Sequence, residues 1–161
     1  MIALAACLAA SAQDQIAAIG TMISEGKVDF NYRYDIDGKI PIGASGKATV
    51  QGDCYMSKGN GLSVYCDGET RWTVDEEAKE VYLEEAVPGE VLALIKAYAA
   101  QARNLQVSKT DISGSFVDEE AGSTVHFRIS GITPSAKTGD LSIFKFNTSG
   151  LGSDWVVTDL R

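Results

Sequence analysis

With 161 residues, 45% of them hydrophobic and 22% charged, the chain has the balance of one folded domain and not of a disordered or multidomain protein. Fourteen Lys and Arg stand against 22 Asp and Glu, and the net charge of -8 argues against nucleic acid and against anionic membranes, both of which call for clustered cations. One His and three Cys exclude multi-histidine metal sites, a four-thiolate zinc site and a disulfide scaffold.

Residues 1–12 are apolar or small and carry no charge, and they are too few to span a bilayer, which takes about 20. They read as the tail of a secretory signal, with Ala10-Ser11-Ala12 supplying the small residues before a cleavage, although the basic n-region is missing. Two alternatives stand beside this. Leu4-Ala5-Ala6-Cys7 has the form of a lipobox with Cys7 lipidated, and the stretch can also be read as a short buried helix that is never cleaved. The expected folded unit is then a single domain over residues 13–161.

Ile16, Ile19 and Ile23 form one apolar helical stripe over 15–24, ended by Gly26. From Val28 the period becomes two. Val28, Phe30, Tyr32, Tyr34 and Ile36 alternate with Asp29, Asn31, Arg33, Asp35 and Asp37, which predicts a strand closed by the Asp37-Gly38-Lys39 turn. Further strands are predicted over 46–51, 53–57 and 62–66, then after the Asp67-Gly68 turn over 70–74 and 80–83. Pro88 opens the one long helix, whose apolar face holds Val91, Leu92, Ile95, Tyr98, Ala99 and Ala102. Strands over 112–116, 124–129, 141–147 and 155–160 complete the pattern, with a turn at 119–122.

Cys54 and Cys66 flank the turn Lys58-Gly59-Asn60-Gly61. If that turn centres on Asn60, the two face each other with Cβ atoms roughly 4.5 Å apart in a non-hydrogen-bonded pair, close enough for a disulfide. The alternative is two free, half-buried thiols. The bridge would imply an oxidising compartment.

Chemistry has few carriers here. His126 falls on the polar face of its strand and reads as a solvated surface residue, with Ser123 and Ser130 nearby but no nucleophile elbow. Asp111 and Asp118 lack a ligand spacing with His126, and the acidic runs 75–77 and 118–120 are turn residues first. Gly59-Asn60-Gly61 punctuates a hairpin, since no helix start follows it. The expectation is a protein that is not an enzyme, with no cofactor and no metal.

About ten short antiparallel strands with two helices suit a mainly β (α+β) fold, a curved sheet whose open mouth the helices occupy, and such a shape can hold an apolar cavity. Within this pattern, Asp67-Gly68-Glu69-Thr70-Arg71-Trp72 resembles the DGxxxW hairpin of LolA-type periplasmic lipoprotein carriers. Ser45-Gly46-Lys47-Ala48-Thr49-Val50 and Gly52-Asp53-Cys54-Tyr55-Met56 lead into it, and Glu80-Val81-Tyr82-Leu83 follows, in the order of that family. Phe30-Asn31-Tyr32 departs from the family's early Phe-x-Gln pattern. The resemblance implies a strongly curved, unclosed antiparallel β-barrel with a helical lid over a hydrophobic cavity. It further implies a monomeric periplasmic carrier that takes lipoprotein acyl chains from an inner-membrane release complex to an outer-membrane acceptor. An envelope lipid sensor or interaction domain of the same fold is the alternative. Arg33 and Arg71 are the candidates for the arginine that locks the lid in such carriers.

The expected cavity lining is Phe30, Tyr32, Tyr34, Met56, Val64, Trp72, Leu92, Ile95, Phe116, Phe127 and Ile129. Aromatic rings wet at one end suit a cavity mouth, and methionine adapts to variable chains. Each buried methylene of an acyl chain contributes about 0.8 kcal/mol, so affinity needs no polar chemistry.

Overall fold

A computed structural model describes residues 12–38, 42–119 and 121–161. Cys7 and all of the expected leader except Ala12 lie outside the described residues, as do Lys39 of the first predicted turn and Glu120 of the later one. In chain order the elements are α1 (Ala12–Glu25), β1 (Lys27–Ile36), β2 (Ile42–Gln51), β3 (Cys54–Gly59), β4 (Leu62–Asp67), β5 (Thr70–Asp75) and β6 (Glu80–Glu85). After them come α2 (Glu90–Gln101), β7 (Arg103–Val107), β8 (Ile112–Asp118), β9 (Ser123–Ser135) and β10 (Val156–Asp159). The protein is mainly β. Its strands form one unclosed sheet in the order β10-β6-β5-β4-β3-β2-β1-β9-β8-β7.

Hairpin chemistry sets most of that order. Asn60 and Gly61 both have positive φ, 53° and 79°, the conformation of a two-residue turn matched to strand twist. The Asp67 carboxylate accepts the N–H groups of Glu69 and Thr70, and Asp75 does the same for Glu77 and Ala78. In β9, Gly131 at φ 64° coincides with a bulge against β1, so that Ile129 and Ile132 both reach the concave side.

Three expectations are corrected. The hairpin register pairs Tyr55 with Cys66 and Cys54 with Asp67, one residue away from the register that would oppose the cysteines. Alternation then puts Cys54 and Cys66 on opposite faces, and both are free thiols. Residues 141–147 are not a strand. Ser142–Phe144 is a 3-10 turn packed across β3 and β4, and Phe144 is fully buried. A strand there would need an open sheet edge, and β3 and β4 already have partners on both sides. Finally, β7 forms from 103–107, where no alternation announces it, and β10 joins β6 in parallel, not antiparallel as expected.

Two apolar clusters flank the sheet. On the concave side Ile23, Val28, Val50, Ile112 and Ile132 are buried, with Val91, Leu92 and Ile95 of α2 packed against them. On the convex side Val74, Val81 and Leu83 are covered by Phe146, Leu151 and Trp155 from the segment that leads to β10. Burial on both faces lets the sheet stay open at its ends without exposing its middle.

Candidate functional site

The concave face is not filled by its helices. Between them lies a cavity of about 840 Å³. The whole inward row of β1 lines it: Val28, Phe30, Tyr32, Tyr34 and Ile36. Ala48 and Val50 of β2, Val64 of β4, Ile112 and Phe116 of β8, and Val125, Phe127 and Ile129 of β9 continue the wall. From above, α1 contributes Ile16, Ile19 and Ile23, and α2 contributes Val91, Leu94, Ile95, Tyr98 and Ala99.

Tyr32 shows how sequence shapes this wall. Its ring lies over Gly46 of β2 and ends at Ser57 of β3, whose hydroxyl donates to the Tyr32 hydroxyl oxygen at 3.1 Å. A Cβ on Gly46 would stand 2.5 Å from that oxygen, and one on Gly59 would stand 2.8 Å away. The two glycines clear a flat floor for the ring.

Helix α2 spans the mouth. None of its residues is buried, and Leu94 and Tyr98 are nearly half exposed although both line the cavity. At its C-terminal end Tyr98 rests on Phe116 with ring centroids 5.2 Å apart, and Phe116 leads on to Phe127 at 6.2 Å. At its N-terminal end the contact is polar. Glu90 accepts a hydrogen bond from the Tyr55 hydroxyl at 3.2 Å and pairs with the Arg71 guanidinium at 3.1 Å. Arg71 also pairs with Glu84 of β6 at 3.0 Å, so one cation serves two carboxylates. Burial, with Cys66 and Glu90 nearby, pushes the Tyr55 hydroxyl up to about 12, which keeps it a neutral donor.

Of the expected lining residues, Phe30, Tyr32, Tyr34, Met56, Val64, Ile95, Phe116, Phe127 and Ile129 come together around the cavity. Trp72 and Leu92 do not. Trp72 is one position out of phase with Arg71 and Thr73, which face the cavity, and it packs in the convex cluster instead. Leu92 turns toward α1, where a Cβ on Gly20 would lie 3.7 Å from it. The polar end formed by Tyr55, Arg71, Glu84 and Glu90 was not expected as a unit. Its members are far apart in sequence, and only Glu90 carried a local signal, as an acidic residue in the first helical turn. Of the two arginines considered for a lock, Arg71 reaches α2, whereas Arg33 pairs with Asp35 on its own strand at 2.8 Å. His126 is exposed and lies 2.9 Å from Asp37. Among the described residues no group of three His, Cys, Asp or Glu is placed to hold a metal ion.

No family model matches the chain, and no curated protein does. A solved structure does. It belongs to an uncharacterized conserved protein from Thermus thermophilus, with a TM-score of 0.53 at 7% identity, over 93% of this chain and 99% of that one. At that identity the likeness shows a shared fold alone. The architecture is therefore one that quite different sequences can encode.

Proposed function

We propose that the protein is a non-enzymatic carrier of acyl chains, enclosing them in the concave cavity beneath α2 and releasing them when α2 moves aside. The observation that supports this reading most is an apolar cavity of about 840 Å³ roofed by a helix with no buried residue. An ordinary core would be close-packed, and its covering helix would bury its apolar stripe. At the finer level, the proposal is a LolA-like unclosed barrel with α2 as part of a lid. Arg71 is then the latch that holds the first turn of α2 to β5 and β6. Lipoprotein acyl chains are the proposed cargo and the periplasm the proposed compartment. No helix among the described residues is long and apolar enough to cross a membrane.

The test is to purify the protein without detergent, extract it with organic solvent, and analyse the extract for lipid by mass spectrometry. The stripped protein is then titrated with a palmitoylated peptide and with its unacylated counterpart. Co-purifying acyl lipid, or saturable binding of the acylated peptide alone, supports the carrier. A lipid-free cavity that takes up neither peptide rejects it.

A further inference from the structure

An apolar wall accepts any hydrocarbon, so discrimination between ligands falls to the charged groups around it. The charged residues that border the cavity are Arg33, Arg71, Glu90, Asp118 and Arg128, of which Arg33 and Arg128 stand out of phase with the inward rows of β1 and β9. Each of the three arginines already has an acidic partner. Arg33 pairs with Asp35 at 2.8 Å, Arg128 with Asp111 at 3.0 Å, and Arg71 with both Glu84 and Glu90. The first two are about two-thirds exposed, where water screens them. Arg71 is different, because its side chain and those of Glu84 and Glu90 are 25–36% exposed.

An anionic head group at that end finds one guanidinium and two carboxylates. Arg71 spends three of its five N–H groups on Glu84 and Glu90, so an anion that reaches it either lies beside two like charges or displaces one carboxylate and leaves it half-buried without its cation. A neutral ester or amide carries no such charge. Its carbonyl only has to accept a hydrogen bond, and the Tyr55 hydroxyl, whose one hydrogen goes to Glu90, can turn to it while Glu90 keeps its Arg71 cation. Building on the reading of the cavity as an acyl site, we propose that Glu84 and Glu90 select acyl chains ending in an uncharged ester or amide and reject free fatty acids.

The experiment compares two ligands of equal chain length, palmitate and 1-monopalmitoylglycerol, each displacing the uncharged probe N-phenyl-1-naphthylamine from the full, delipidated chain at pH 7.5. We expect the ester to bind at least tenfold tighter than the acid. Glu84→Gln and, separately, Glu90→Gln should shrink that ratio at least threefold by strengthening palmitate, with retained β circular dichroism reporting the fold. Equal affinities in the unsubstituted protein, or tighter palmitate, overturn the selection. So does a ratio unmoved in both folded variants, the outcome expected if exposed Arg33 and Arg128 meet the head group instead. Failure of the probe and both ligands to bind rejects the carrier reading itself, a result distinct from binding without preference.

Discussion

Gly46 illustrates how a residue with no side chain determines the shape of a binding surface. The Tyr32 hydroxyl lies where a Cβ would be, and the Lys58 carbonyl oxygen would be 2.3 Å from the same atom. Alanine there must move both the ring, which is tied to Ser57, and the backbone of β3. Gly46→Ala is expected to destabilise the protein by about 1–3 kcal/mol, the usual cost of overpacking, read as a lower urea midpoint at unchanged m-value. A substitution with no effect would mean that the ring does not lie across β2. Tyr32 was legible as inward-facing while its reach to Ser57 was not. Alternation assigns a face, but the direction of a ring along that face depends on which neighbours are small.

Among the elements, the β3–β4 hairpin decides the fate of two thiols. A turn centred on Asn60 would oppose Cys54 and Cys66, but the two-residue turn of Asn60 and Gly61 pairs Gly59 with Leu62 instead. A shift of one residue moves a side chain to the other face, and that is the distance between a disulfide and none. Cys66 is 1% exposed and its Sγ donates to the Asp53 carbonyl, whereas Cys54 is partly accessible. In a Cys7→Ser background, alkylation should label Cys54 in the native protein and Cys66 only after denaturation. Intact mass before reduction should show both thiols free. A mass two protons lighter would overturn the register. Helix α2 makes the complementary point. Its apolar face was legible from spacing, yet spacing says nothing about whether that face meets a filled core or a space. Here Leu92 turns to α1 while Val91, Leu94 and Ile95 line the cavity.

For the whole molecule, the titration of groups held between elements sets a stability plateau. Burial alone would raise the Asp67 carboxyl, but the N–H groups of Thr70 and Glu69 and the Lys145 ammonium outweigh it and hold the pKa below the usual range. Its contribution is present above about pH 4 and is lost as pH falls through the lowered value. Tyr55 acts with the opposite sign. Its folded value near 12 exceeds the 10.0 of a free tyrosine, so its contribution is full below pH 10 and disappears as pH rises toward 12. Unfolding free energy measured from pH 8 to 12 should therefore fall steeply above pH 10, and Tyr55→Phe should flatten that fall. A variant with the same alkaline slope as the unsubstituted protein would show that Tyr55 does not carry it.

Local pattern was enough for the period-two row of β1, the turn residues of the hairpins and the α2 stripe. These are set by the direction of successive side chains and by the φ angles that Asn, Asp and Gly tolerate. Much of the cavity wall follows from them, because strands that keep their alternation place their inward residues together once paired. The rest came from the folded arrangement. It set the register that separates Cys54 from Cys66, sent Trp72 to the convex side, and turned 141–147 into a cover for β3 and β4. It also brought Tyr55, Arg71, Glu84 and Glu90 from four elements to one end of the cavity. Each of these depends on which segment covers which face, and long-range packing settles that where a pattern read along the chain cannot.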